Sequence, residues 1–84
     1  MKWEEIKAKY PSKWVVIEAL EAHNSGDKRV IDESSVINVF DESMAAFREY
    51  RALHKSNPNR EFLFVSTTTE HLQIPTHPWA GLRQ

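Results

Sequence analysis

The chain contains no cysteine. That excludes a disulfide scaffold, a thiolate zinc site and a thiol nucleophile, and it suits a reducing compartment. Glycine is nearly as scarce, with Gly26 and Gly81 the only two. Neither a glycine-rich dinucleotide loop nor a phosphate-cradling P-loop can be assembled from them. Long apolar runs are missing as well. The start, Met1-Lys2-Trp3-Glu4-Glu5, is not followed by the roughly 7–15 apolar residues of a signal-peptide core, and no stretch approaches the ~18 of a membrane span. The expected location is therefore cytoplasmic. Charge of one sign is also lacking: 11 Lys and Arg against 12 Asp and Glu give a net charge of −1. A nucleic-acid binder usually carries a basic excess, because its affinity rests on neutralising phosphates, so that class is a secondary reading.

What the chain does have is aromatic residues: Trp3, Trp14, Trp79, Tyr10, Tyr50, Phe40, Phe47, Phe62 and Phe64. At 84 residues it is long enough for one domain, spanning 1–84 with 75–84 as a C-terminal tail. So short a chain buries only about 60–65% of its unfolded surface, and each large apolar side chain counts.

Trp3, Ile6 and Tyr10 recur at helical spacing and predict a short helix over Lys2–Lys9. Glu4 and Glu5 stand in its first turn and Lys7 and Lys9 in its last, complementing the helix dipole, and Pro11 ends it. Residues 13–22 predict a strand. Its Trp14-Val15-Val16-Ile17 core is apolar on both alternation sets, so both faces should be covered. His23 to Asp27, with Gly26, predicts the turn of a hairpin, and Arg29–Phe40 predicts the returning strand. The polar middle of that strand, Asp32-Glu33-Ser34-Ser35, predicts a bulge, a bend or an exposed stretch of edge. The strongest periodicity lies in 41–57: Asp41 is the expected N-cap, and Ala46, Phe47, Tyr50, Leu53 and His54 share one face. Residues 61–67 predict a third, central strand. Beyond it Thr67–Glu70 matches a capping box, yet also suits a strand, and His71–Ile74 alternates like a fourth short strand.

The expected fold is α+β: a small, three- to four-stranded, mainly antiparallel sheet with one main helix and a short N-terminal helix. That helix and the Trp79 tail, or a second copy of the chain, are the candidate covers for the second sheet face. Pattern alone allows the third strand to pair with either the first or the second.

No reaction motif stands out. His23, His54, His71 and His77 lack zinc-ligand spacing, and neither an i, i+4 pair nor an H-E-x-x-H context occurs. The hydroxyls of Ser66–Thr69 beside Glu70 and His71 lack a nucleophile elbow, and neighbours along a strand point to opposite faces. Asp32-Glu33 and Asp41-Glu42 are explained by strand alternation and helix capping. Catalytic, metal and cofactor assignments are therefore none. On the helical wheel Arg48, Arg51 and Lys55 fall within roughly 60° of one another. They form either a docking stripe or a solvated face. Trp79 and Leu82 are large apolar residues in the irregular tail, expected to pack on the chain's own sheet or on a neighbour.

The residues Tyr10-Pro11-x-x-Trp14-Val15-x-Ile17, Val39-Phe40-Asp41-x-Ser43, Ala46-Phe47-x-Glu49-Tyr50-x-x-Leu53-His54 and Glu61-Phe62 resemble a family of small uncharacterised bacterial proteins. The resemblance spans about residues 10–65 and implies a bacterial cytoplasmic setting and an α/β layout. It carries no activity, cofactor or functional residue across.

The leading expectation is a non-enzymatic protein-interaction or accessory protein, self-associating or bound to a protein partner, with Arg48, Arg51, Lys55, Trp79 and Leu82 as contact residues. The edge of the second strand is a candidate for pairing with another chain. The alternatives are a small-molecule binder or small enzyme using Thr67–His71 and His77, and a nucleic-acid accessory protein using the basic stripe.

Overall fold

The computed structural model describes residues 1–75. The elements run α1 (Trp3–Lys9), β1 (Trp14–Ser25), β2 (Lys28–Phe40), α2 (Ser43–Ser56), β3 (Phe62–Ser66) and β4 (Gln73–Pro75). The four strands form one antiparallel sheet in the order β3-β1-β2-β4. This is the small α+β fold expected, and the third strand pairs with β1. It is not the central strand that its two apolar faces predict but an edge strand: those faces are covered by α2 on one side and by the α1-side core on the other, which needs no second neighbouring strand.

The hairpin is longer and its turn tighter than the polar run His23 to Asp27 suggests. Ser25 pairs with Lys28, so only Gly26 and Asp27 form the loop. Gly26 takes φ +63° while Asp27 keeps an ordinary φ, which fits a two-residue turn with glycine first. Register shifts occur in β1 near Leu20 and Glu21, opposite the polar Ser34 and Glu33, and again between Val16 and Ile17. The irregularity expected from Asp32–Ser35 is thus present. Ser34 is nonetheless buried, at 2% exposure.

Both sheet faces are covered by the chain itself. On one side Val15, Ile17 and Ile31 pack with Trp3, Ile6 and Leu72, and Leu63, Val65, Val36 and Val39 close around them. The cover here is α1 together with the 67–72 turn, which Trp3 fastens by donating its indole N–H to the Thr69 carbonyl at 2.9 Å. On the other side α2 lies against β3, β1 and β2. Ala46 is fully buried there, and Phe47 and Tyr50 pack on Phe64.

Three local expectations need correction. The N-cap of α2 is Glu42, with no side-chain cap bond, while the Asp41 carboxylate pairs with the Lys13 ammonium across the β1–β2 end. Once the ion pair holds Asp41, the helix starts one residue later. Thr67–Glu70 is neither helix nor strand but a turn. The Thr67 hydroxyl is buried and engaged elsewhere: it accepts the Lys13 N–H at 2.9 Å and donates to the Tyr10 carbonyl at 2.7 Å, so it cannot cap a helix. The fourth strand starts at Gln73, not His71, and pairs with the hairpin's far end, Lys28–Val30. Trp79, Leu82 and His77 lie outside the described residues.

Candidate functional site

Sheet edges are where a small β-containing domain is most open to other chains, and native folds blunt them. The outer edge of β2 is blunted along most of its length. β4 pairs with residues 28–30. The Ile31 N–H donates to the Leu72 carbonyl. Met1 then adds a strand-like contact: its carbonyl accepts from the Ser34 N–H at 2.9 Å, and its ammonium donates to the Ser34 carbonyl and to Glu33 Oε2. Further along, the bulge exposes Ile37, and the Asn38 carboxamide oxygen accepts the Val39 N–H at 3.0 Å. The expectation that the second strand's edge receives another chain is therefore met by a strand whose edge is already occupied, bent or capped.

The edge of β3 differs. The Ala19 N–H donates to the Glu61 carbonyl, and the Thr67 N–H donates to the Lys13 carbonyl, so residues 61 and 67 direct their backbone groups at β1. The β1–β3 register runs from Trp14↔Ser66 to Glu18↔Phe62 without a shift. By alternation Leu63 and Val65 also bond to β1, and the backbone N–H and C=O groups of Phe62 and Phe64, with the N–H of Ser66, point outward. Among the described residues nothing pairs with them. Among the described residues the far part of β1 is also unflanked, but the register shifts at Leu20 and Glu21 break it up.

Beside this edge runs an aromatic bank. Phe64 is the hub, with its ring centroid 5.2 Å from Tyr50, 5.5 Å from Phe47 and 6.2 Å from Trp14. Tyr50 in turn stacks on His54 at 5.9 Å, with rings 11° from parallel. Apart from the exposed His54 these rings are half-buried. Between α2 and the start of β3 lies an open groove of about 370 Å³, walled by Tyr50 and His54 on one side and residues 58–63 on the other.

The charges around the groove are largely paired. Arg60 and Glu61 are neighbours whose side chains go to opposite sheet faces. Arg60 holds Glu18 through Nε at 2.8 Å and Nη2 at 2.6 Å, with its guanidinium 5.0 Å above the Phe62 ring. Arg29 holds Glu61 through Nε at 2.8 Å and Nη2 at 2.9 Å. The two forked pairs tie the start of β3 to the hairpin. The hydrogen bond from Arg60 keeps the Glu18 carboxyl below the usual glutamate range, and the Glu18 carboxylate raises Arg60 above its ordinary value. Arg29 is raised by Glu61 in the same way.

The basic stripe stands apart from this pairing. Arg48, Arg51 and Lys55 are exposed and enter no ion pair among the described residues. Arg51 follows Phe47 by four residues and precedes His54 by three, so it continues the flank of α2 that borders β3. The exposed Met44 sits four residues before Arg48 and extends the stripe.

The three histidines among the described residues do not converge. His23 bonds Asp32 on the hairpin at 2.6 Å, His54 stacks on Tyr50, and His71 lies 3.1 Å from Glu70 in the 67–72 turn. Among the described residues no group of three His, Asp or Glu side chains is placed to hold a metal ion. The hydroxyls near His71 do structural work: Thr67 bridges to Tyr10 and Lys13, and Ser66 Oγ meets Thr68 Oγ1 at 2.7 Å. No helix of the described residues is long and apolar enough to cross a membrane. Compared with known proteins, the chain matches no protein family, no curated protein and no solved structure.

Spacing alone placed Arg48, Arg51 and Lys55 on one stripe. The edge of β3 is what it missed: the two apolar faces of 61–67 indicate a central strand, whereas β3 lies at the sheet's edge. No residue in 62–66 marks an open edge, because openness depends on strand order, which is set by pairings distant in the chain.

Proposed function

We propose that this protein is a non-enzymatic interaction module that takes up an extended segment of another polypeptide along the edge of β3. One observation carries the reading. β2, the other edge-facing strand of the sheet, is blunted by β4, Met1, a bulge and the Asn38 cap, whereas β3 leaves the outward groups of Phe62, Phe64 and Ser66 without partners among the described residues. An added strand gains main-chain hydrogen bonds there, and alternate side chains meet the aromatic bank and the groove. The pairing of Glu18 with Arg60 and of Glu61 with Arg29 supports a docking role over a catalytic one, because the charged groups nearest the groove already hold each other.

The test couples capture to a positional readout. Tagged full-length protein is recovered from its source cells with its partner, and amide exchange is compared with and without that partner. The expected result is slowed exchange at Phe62, Phe64 and Ser66. Ser66→Pro removes an outward N–H from an edge strand, where proline is tolerated, so the partner is lost while the far-UV spectrum is kept; Ser66→Ala, which loses the same Oγ contacts to Thr68 but keeps the N–H, retains the partner. A chain that retains no partner, or a partner that protects only other surfaces, overturns the proposal.

A further inference from the structure

We infer that the segment taken up by β3 is an acidic one from a different protein, its negative side chains facing α2 at alternate positions. This rests on the edge reading above and adds the chemistry of the occupant.

Positive charge is left over beside this edge. Around the β3 edge Lys13 is held by Asp41, Arg60 by Glu18 and Glu61 by Arg29. Among the described residues Arg51 and Lys55, with Arg48 behind them, stay uncompensated, and Glu49 lies about 160° around the helix from Arg51, on the opposite flank. The surface that overhangs the open edge is thus net positive, on a chain whose overall charge is −1.

Strand geometry fixes the pattern. Phe62 and Phe64 direct their side chains to the α2 face, since Phe64 touches Phe47 and Tyr50 there. In a strand paired to β3, every second residue projects to that same face. One of these meets the groove beside Tyr50 and His54, where a flat aromatic or aliphatic side chain finds the ring faces. The neighbours two residues away come under the Arg51 flank, where a carboxylate supplies the missing charge. The intervening residues lie on the side of Leu63 and Val65, which favours apolar or β-branched types.

A second copy of this chain fits less well. A two-fold pairing of β3 with β3 sets one α2 beside the other and opposes the two Arg51 flanks, like charge against like.

The experiment is selection from a displayed library of random peptides of about twelve residues on the immobilised full chain, followed by amide NMR titration with the enriched peptides. The expected result is enrichment of sequences with Asp or Glu at alternate positions and an apolar residue between, shifting the amides of β3 and α2. Arg51→Glu combined with Lys55→Glu should weaken those peptides about tenfold or more while leaving the fold intact, and added salt should weaken them in the unaltered chain. Enriched peptides that shift β3 but show no acidic bias overturn the acidic inference and leave the edge reading standing. Peptides that leave the β3 amides unmoved, or no enrichment at all, overturn both. Concentration-dependent β3 shifts without peptide assign the edge to a second copy and overturn the inference. A single-stranded oligonucleotide that displaces nothing but shifts α2 in place of the peptides assigns the stripe to nucleic acid and overturns it as well.

Discussion

Ser12 holds φ at 56°, the left-handed region where a β-carbon crowds the following carbonyl. It sits in the turn that brings the chain from α1 into β1, just after Pro11, and its side chain is exposed. Ser12→Gly removes the crowding and costs only the extra freedom of glycine in the unfolded chain, so a net gain of about 0.5 kcal/mol is expected, read as a rise of about 3 °C in melting temperature. Thr67 works in the other direction. Its buried hydroxyl serves the Lys13 N–H and the Tyr10 carbonyl at once. Thr67→Val keeps the shape and leaves both groups unpaired, so it should lower stability by about 1–3 kcal/mol, whereas Thr67→Ser should recover most of that. Denaturant titration of the two variants separates the hydroxyl from the methyl group. Neither role was legible in the sequence. Ser12 is an unremarkable residue type for a turn, and the threonine run from Thr67 suggested capping because its true partners lie far back in the chain, at Tyr10 and Lys13.

Among the elements, α2 and the central strand were legible for a simple reason: their partners are dictated by period. The three-and-four spacing of Ala46, Phe47, Tyr50 and Leu53 admits one buried face, and the unbroken apolar run Trp14–Ile17 admits only a strand covered on both sides. What period does not convey is which element covers which face. The helix at the N-terminus is only seven residues long, too short to persist alone in water, and its existence depends on its seat. Ile6 is fully buried in that seat among Trp3, Val15, Ile17 and Leu72. Ile6→Ala should therefore cost about 2–5 kcal/mol, a large part of the total for a domain of this size, and should expose the β1 face to a hydrophobic dye. A loss below about 1 kcal/mol would show that α1 is an ornament on the sheet and not its cover. The same dependence on distant partners hid the candidate docking edge: the basic stripe on α2 follows from spacing within one helix, but the open flank of β3 exists only because β1 took β3 on one side and β2 on the other.

For the whole molecule the ends of the elements are joined by charge. Glu33 accepts from the Met1 ammonium at 2.6 Å and pairs with Lys2 at 3.2 Å, which binds the N-terminal segment to the β2 edge. Glu18 and Arg60 join β1 to the start of β3. Both carboxyls are held below the ordinary glutamate value of about 4.3, Glu33 by hydrogen bonds from the terminal ammonium and Lys2 and Glu18 by that from Arg60. A carboxyl depressed in the folded state contributes stability that is present above its unfolded value and is lost as pH falls through its folded value. Melting temperature should thus stay nearly level from about pH 7 to pH 5 and drop below about pH 4. Glu33→Gln and Glu18→Gln should each melt lower than the parent at neutral pH, and their curves should approach the parent's as the acid limb is descended, because protonation removes the same charge the substitution has already removed. Both pairs are open to solvent, so added salt should narrow the gap at neutral pH. If the variants instead run parallel to the parent down to about pH 3, the acid limb belongs to other carboxylates, and these two pairs orient the N-terminal segment and β3 without contributing to pH-dependent stability.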